Sequence, residues 1–353
     1  MLRAMAQRVT ITDVAREAGV SVATVSKVVN QRDGIAAGTA THVRAVVDRL
    51  GYESSLVARG LRSHRTGVIG VLVAEFEPFS SEILKGAGAA LRDTDHALLA
   101  YTGGGSGRAG WEHRYLARLS GTLIDGAVLV TPTVLHAGAS VPVVAVDPHA
   151  GPGGLPTVDS DNLHGAVLAV RHLLGLGHRR IGFLGGRVDL ESSRLREAGY
   201  RAALAEAGIP VDPALMHVAE YRRDAADAPT AAMLALDDPP TALFAANDLS
   251  AMGILDAAAR LGVRVPTDLS VVGFDDVPEA AATTPPLTTV RQEIQGLGRA
   301  AVGMLLGLLG DGGGARGDVG GDGAGDGAPG AGQHLRLPTR LVVRGTTAVP
   351  RRR

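Results

Sequence analysis

Two groups of residues in this 353-residue chain have types and spacings that could do chemistry. The first lies near the N-terminus. Lys27 can donate to guanine O6 and N7, while Val22 and Ala23, early on the same helix, can touch a thymine methyl group. Ser21, Thr24, Ser26 and Asn30 around them are short donors suited to phosphate oxygens. The second group lies at the ends of apolar runs further on. Asp147, the pairs Asn247-Asp248 and Asp275-Asp276, and Arg196 within SSRLREAGY are planar donors and acceptors that could grip the vicinal hydroxyls of a polyol. On spacing alone, an ordinary helical hairpin with a solvated polar face accounts for the first group, and a structural Arg196–Asp275 ion pair for part of the second.

The first group needs a rigid frame to present it. Thr10 and Thr12 supply capping hydroxyls for a helix over about 11–18, Gly19 suits a turn, and Ser21 can cap a second helix over about 22–29. Val14, Ala15, Ala18, Val20, Val25 and Val28 recur at three-to-four spacing and would pack together. A third helix over 39–50, capped by Thr39, turns Val43, Val46, Val47 and Leu50 toward them. This is a helix-turn-helix, whose second helix enters a major groove.

The second group needs strand ends. Apolar strands are expected at 67–73, 97–101, 126–131, 141–146, 180–184, 217–219, 242–245 and 269–274. Helices are expected between them at 81–94, 111–119, 162–176, 194–207, 228–236 and 248–261. Strands alternating with helices imply parallel sheets covered on both faces, and two rounds imply two lobes. Ligands of such sheets bind beyond the carboxyl ends of the strands, where the polar group falls.

The net charge of −1 hides an asymmetry: residues 1–65 carry +5 and the remainder −6, a basic head on an acidic body. There is no cysteine, so no disulfide framework, and no stretch apolar enough to span a bilayer, so a cytoplasmic protein without membrane contact is expected. Gly103-Gly104-Gly105-Ser106-Gly107 lacks the Gly-Lys-Ser/Thr of a phosphate loop, no nucleophile elbow or paired-histidine zinc motif appears, and neither an enzyme nor a cofactor or metal is expected. Residues 310–332 are a low-complexity Gly-rich stretch read as a disordered insert.

The stretches TITDVAREAGVS, TVSKVVN and LGY, then LGHRRIGFLGG, SRLREAGYRAAL, PTALFAANDLSAMG and DLSVVGFDDVPEA with PPLTTV, are similar to the lactose-repressor (LacI/GalR) family of transcription regulators. The resemblance covers nearly the whole chain except the Gly-rich stretch. It implies an α/β protein: an all-α helix-turn-helix headpiece (1–53) and hinge helix (54–65) joined to a two-lobed, periplasmic-binding-protein-like core of doubly wound parallel sheets (66–309 and 333–353). Lobe 1 would comprise about 66–160 and 290–309, and lobe 2 about 161–289 and 333–350.

The resemblance adds Thr10, Thr39 and Tyr52 to the DNA-facing set. It places Arg59 and Arg62 beside phosphates or in the groove and makes Leu61 the hinge wedge at a central base step. Two departures stand out: Ala40 replaces a usual arginine, and Ser54-Ser55 replace a usual Pro-Asn. In the core it assigns Arg196, Asn247 and Asp275 to the effector, joined by Asp147, with Phe79 and Tyr221 near family aromatics. As simple core residues, the two aromatics fit equally well. The function implied is a repressor that binds a palindromic operator as a homodimer under control of a small-molecule effector, a sugar being the family's commonest. A sugar-binding protein with no gene-regulatory role, cytoplasmic or exported, is the alternative.

Overall fold

Thr10 opens the first helix by exchanging bonds with Asp13. The threonine hydroxyl accepts from the Asp13 N–H at 3.3 Å, and the Asp13 carboxylate accepts from the Thr10 N–H at 3.0 Å. This capping box satisfies donors at both ends of the first turn, and α1 runs Ile11–Ala18 until Gly19 closes it at φ +66°. The chain is described here from a computed structural model covering residues 9–29, 33–52, 65–103, 110–134, 138–310 and 332–351. Asn30, the hinge residues Arg59, Leu61 and Arg62, and residues 311–331 of the Gly-rich stretch lie outside the described residues.

The N-terminal unit is a three-helix cluster of α1, α2 (Val22–Val29) and α3 (Ala37–Leu50). Val14, Ala15, Ala18, Val25, Val28, Val43 and Val46 form its buried centre, with Val20, Val47, Leu50 and Tyr52 against it. Two capping expectations change. Thr12 lies exposed inside α1, where its hydroxyl caps nothing. Helix α3 starts two residues before Thr39 with Ala36 at the cap and no side-chain bond, so Thr39 sits in the first turn instead.

The larger unit is built on two six-stranded sheets. Its elements in order are β1 (Val68–Val73), α4 (Pro78–Ala90), β2 (Ala97–Thr102), α5 (Trp111–Leu119), β3 (Gly126–Val130), β4 (Val143–Val146) and β5 (Thr157–Ser160). After a crossing come α6 (Asn162–Gly175), β6 (Ile181–Gly185), α7 (Glu191–Glu206), β7 (Met216–Val218), α8 (Asp227–Leu234), β8 (Ala242–Ala245), α9 (Asp248–Arg260), β9 (Ser270–Asp275), α10 (Pro278–Ala282) and β10 (Thr288–Gln292). Then follow α11 (Ile294–Leu308), β11 (His334–Leu337) and β12 (Thr339–Val342). Sheet order is β11-β5-β4-β3-β1-β2 in the first lobe and β12-β10-β9-β8-β6-β7 in the second, parallel throughout except for β12 against β10. The central strands are buried along their whole length, which is why their sequences are unbroken apolar runs rather than alternating ones.

The chain crosses between lobes three times, after β5, after β10 and at Pro338, and two of these crossings differ from expectation. The resemblance puts residues 290–292 in lobe 1, but β10 pairs with β9 in the second sheet and only α11 returns to the first lobe. The final segment, about 333–350, which the resemblance assigns wholly to lobe 2, is split: β11 pairs with β5 in the first sheet and β12 with β10 in the second. Pro338 sits at the switch, where a residue without an N–H breaks the ladder. β5 has no counterpart among the expected strands; TVDS is too short and polar to read as a buried strand, yet its four residues are buried. On the first lobe α11 lies against α4 at backbone contact. A Cβ on Gly86 would fall 2.1 Å from the Gln295 carbonyl oxygen, so no larger residue fits there.

Candidate functional site

On the N-terminal unit, α2 presents a small apolar and cationic face. Val25 and Val28 are buried beneath it, and Ser21, Val22, Ala23 and Lys27 are exposed, Val22 to 40%. An exposed valine at the start of a short helix has no core role to explain it. Ser21 accepts the Thr24 N–H at 3.1 Å, holding the first turn, while Thr24 and Ser26 are half-buried. Thr10 is exposed, but its hydroxyl donates to Asp13 at 2.6 Å, a bond that holds the Asp13 carboxyl below its usual range. Thr39 and Tyr52 are half-buried; Tyr52 packs on the three-helix core as well as reaching the surface.

In the larger unit, a cavity of about 720 Å³ opens between the two sheets at the carboxyl ends of their strands. Phe79, Asp147, Arg196, Tyr221, Asn247 and Asp275, drawn from both lobes and 196 positions of sequence apart at the extremes, all line it. The four polar ones are buried and the two aromatics half-buried. Each aromatic also packs against a core cluster, so the core and cavity readings of these residues hold together.

Backbone strain marks the same place. Among the described residues, the non-glycine positions with left-handed φ are Thr131, Asp147, Glu220, Tyr221, Asp275 and Asp276. Five of the six line the cavity and the sixth adjoins it. Each costs on the order of 1–3 kcal/mol and persists only where the surroundings enforce it, a pattern typical of functional sites. Tyr221 shows how it is enforced. The Asn247 side-chain amide donates to its carbonyl at 3.2 Å, and its ring lies on the Gly186 backbone, where a Cβ would fall 2.3 Å from a ring carbon.

Arg196 organises the floor. It projects from the first turns of α7 and donates from Nε to Asn162 at 2.9 Å, and from one terminal nitrogen to the Ala246 carbonyl and to Asp275 at 3.3 Å. Its guanidinium lies 3.8 Å from the Phe274 ring centroid and 5.5 Å from that of Tyr221, a desolvated cation–π arrangement. Asp275 also accepts from Gln292 at 2.7 Å. Asn247 caps α9 by accepting the Ser250 N–H at 2.9 Å, so much of its hydrogen-bonding capacity is spent inside the protein.

Burial pushes the Asp275 carboxyl up to about 7 against the opposing pull of Arg196. Burial also pushes Asp147, which follows β4, up to about 6. Glu77 across the cleft is raised for the same reason. Asp248, the neighbour of Asn247 in sequence, is a structural acid: it is fully buried, accepts from the Val277 N–H at 3.0 Å and from the Thr289 hydroxyl, and does not line the cavity.

The floor thus includes residues that the sequence reading does not single out. Asn162 and Gln292 hold Arg196 and Asp275, and Phe274 lies under the guanidinium. Asn162 carries a signal only as the first residue of the helix expected at 162–176, after Asp161. Gln292 carries none, because the strand it ends has no local signature. The cavity can therefore hold a small molecule with hydroxyls or amides against carboxylates, an amide and a guanidinium, with an aromatic wall on each lobe.

A model of bacterial regulatory proteins of the lacI family matches residues 10–55, and one of a periplasmic binding protein-like domain matches residues 170–347. The chain is 34% identical over 308 residues to the HTH-type transcriptional repressor PurR of Photobacterium profundum, covering 84% of this chain and 91% of that protein. Among solved structures it is similar to the lac repressor dimer bound to operator and the anti-inducer ONPF, at TM-score 0.80 and 29% identity over 97% of this chain and all of that one. It is similar also to the transcriptional regulator CelR in complex with cellobiose, at TM-score 0.68 and 30% identity over 96% of this chain and all of that one.

Proposed function

The chain belongs to the LacI family of bacterial regulatory proteins, and from that premise we propose that it is a repressor that binds a near-palindromic operator as a homodimer and releases or grips it according to a small-molecule effector. It is a regulator and not an enzyme. Lys27, Val22 and Ala23 read base edges in the major groove. Ser21, Thr24, Ser26 and Asn30 meet phosphates, joined by Thr10, Thr39 and Tyr52. Within the hinge, Arg59 and Arg62 lie beside phosphates or in the minor groove, and Leu61 wedges the central step. The exposed Val22 above a buried Val25 and Val28 supports this reading, because an apolar side chain is kept at the surface where base methyl groups would meet it.

The effector occupies the cavity between the lobes, held by Phe79, Asp147, Arg196, Tyr221, Asn247 and Asp275, and it is a sugar. The observation that carries this assignment is the convergence of those six residues on one cavity whose rim is strained at five non-glycine positions. Because the effector touches both lobes, its binding favours one lobe spacing over another, and that difference biases operator affinity. Coupling of about 1–3 kcal/mol is the usual scale.

The test is selection of random duplexes on the full-length protein at fixed near-physiological salt, repeated with a panel of neutral sugars. Salt is fixed because non-specific affinity rises steeply as it falls. A single two-fold symmetric site whose recovery changes with one sugar is the expected result. Sugar binding without any recovered sequence would instead favour a sugar-binding protein with no regulatory role.

A further inference from the structure

The cavity just described is lined by four arginines, Arg187, Arg196, Arg222 and Arg223, and by seven acidic residues. Every one of the four is already engaged by an acid of the protein. Arg187 holds Asp189 at 2.7 Å and Arg196 holds Asp275 at 3.3 Å. Arg222 holds Asp224 at 2.5 Å, and Arg223 holds Asp256 through two bonds of 2.6 and 2.8 Å. No lysine lines the cavity.

Helix N-termini are the other common receptors for anions, and at the cavity those of α4 and α9 are capped by the protein's own side chains. The Glu77 carboxylate accepts the N–H groups of Phe79 at 2.6 Å and Ser80 at 2.7 Å, so the protein's own anion occupies the start of α4. Asn247 caps α9. Helix α7 has no side-chain cap, but it gives its first N–H to the His149 carbonyl at 2.9 Å and carries the negative Glu191 in its first turn. Of the seven carboxylates, Glu75, Glu77, Asp147 and Glu220 have no guanidinium within ion-pair distance among the described residues. Glu75 and Glu220, one from each lobe, both stand close enough to Arg222 to stabilise its charge, so a ligand that displaced Asp224 from Arg222 would still meet two acids.

From this surplus we infer that the site discriminates by charge: it admits uncharged hydroxyl-rich ligands and rejects their phosphate esters and acids, with Glu75, Glu77 and Glu220 as the excluding residues. The inference rests on the cavity being the effector site. A neutral polyol donates hydroxyls to the free carboxylates and leaves every internal ion pair intact. A phosphate must compete with an acid of the protein for each arginine and then sit beside the remaining acids. The Arg187, Arg222 and Arg223 pairs are half-exposed or more, so each like-charge contact at about 4 Å costs on the order of five- to several-hundredfold in affinity.

The experiment is calorimetry and thermal shift on the full-length protein with matched neutral and phosphorylated pairs: ribose and ribose 5-phosphate, glucose and glucose 6-phosphate, adenosine and its 5′-monophosphate, with cellobiose and further neutral sugars and polyols alongside. A neutral compound should bind, with its phosphate ester at least tenfold weaker. In the double variant Glu75→Gln with Glu220→Gln that ratio should shrink. A phosphate ester that binds within tenfold of its neutral partner, or more tightly, overturns the inference while upholding the cavity as the effector site. An unchanged ratio in the double variant also overturns it, because the exclusion then comes from elsewhere. Binding by no compound of either class removes the effector reading and the inference with it.

Discussion

Replacing Arg196 by alanine tests the cavity floor most directly. The side chain is 4% exposed and ties α7 to Asn162, to the Ala246 carbonyl and to Asp275. Its loss leaves the buried Asp275 carboxylate without its cation, with only Gln292 still donating to it among the described residues, and the Ala246 carbonyl without the arginine donor. Breaking a buried pair in this way costs about 3–5 kcal/mol. Asp275 offers a partial escape by taking up a proton. Its carboxyl already titrates near 7 with Arg196 in place, and removing the cation raises it further. The folded variant then holds a proton, over the interval from about pH 7 to its new value, that the folded wild type has released. Across that interval the destabilisation should grow by about 1.4 kcal/mol per pH unit. The assay is urea unfolding of both proteins at pH 6 and pH 8, with effector and operator binding measured on the folded fraction. The expected outcome is a loss of about 3–5 kcal/mol at pH 8, smaller by about 1 kcal/mol at pH 6, no effector response, and unchanged operator affinity. Adding Asp275→Asn should remove the pH dependence of the loss. Stability within about 0.5 kcal/mol of wild type at both pH values, the range of an ordinary surface substitution, would refute the reasoning.

Three further outcomes are expected. Lys27→Ala should weaken operator binding by about 1–3 kcal/mol and relax preference at one base pair; in a selection experiment, equal weakening on all sequences would make Lys27 a phosphate contact only. Gly186→Ala puts a methyl 2.3 Å from the Tyr221 ring, so the ring must leave its place; a loss of about 1–3 kcal/mol in thermal unfolding is expected, together with weaker effector binding. The raised carboxyls of Asp147, near 6, and Asp275, near 7, set a pH dependence. Both sit above their unfolded value of 3.8, so their contribution to the stability of the empty protein is complete below about pH 4 and disappears as pH rises through 6 to 7. A ligand that donates hydroxyls to the ionised forms should bind more weakly as pH falls from 7 to 5, with proton release on binding, and calorimetry in buffers of different ionisation enthalpy measures both.

What the amino-acid sequence determined by itself was local or periodic. Thr10 and Asp13 are three residues apart, and Val14, Ala18, Val25 and Val28 recur at helical spacing, so α1 and α2 begin and end where their side chains dictate. Long apolar runs flanked by glycine likewise announced the buried central strands, and the polar residues at their ends announced a ligand-binding edge. One side of each sheet, β11-β5 in the first and β12-β10 in the second, was decided only by tertiary structure. β5, β10, β11 and β12 are four or five residues each and carry threonines and arginines, so nothing local separates them from loop. Their lobe is settled by partners far along the chain, as when His334 pairs with Thr157. The same holds for the cavity floor. Arg196, Asn162, Asp275 and Gln292 meet across separations of 17 to 79 residues, and the left-handed turns that aim Asp147, Tyr221 and Asp275 are enforced by packing such as the Gly186–Tyr221 contact. Residue type sets what a side chain can bind. Which side chains share one desolvated pocket, and so how far burial shifts their protons, depends on folded neighbours that no short window of sequence contains.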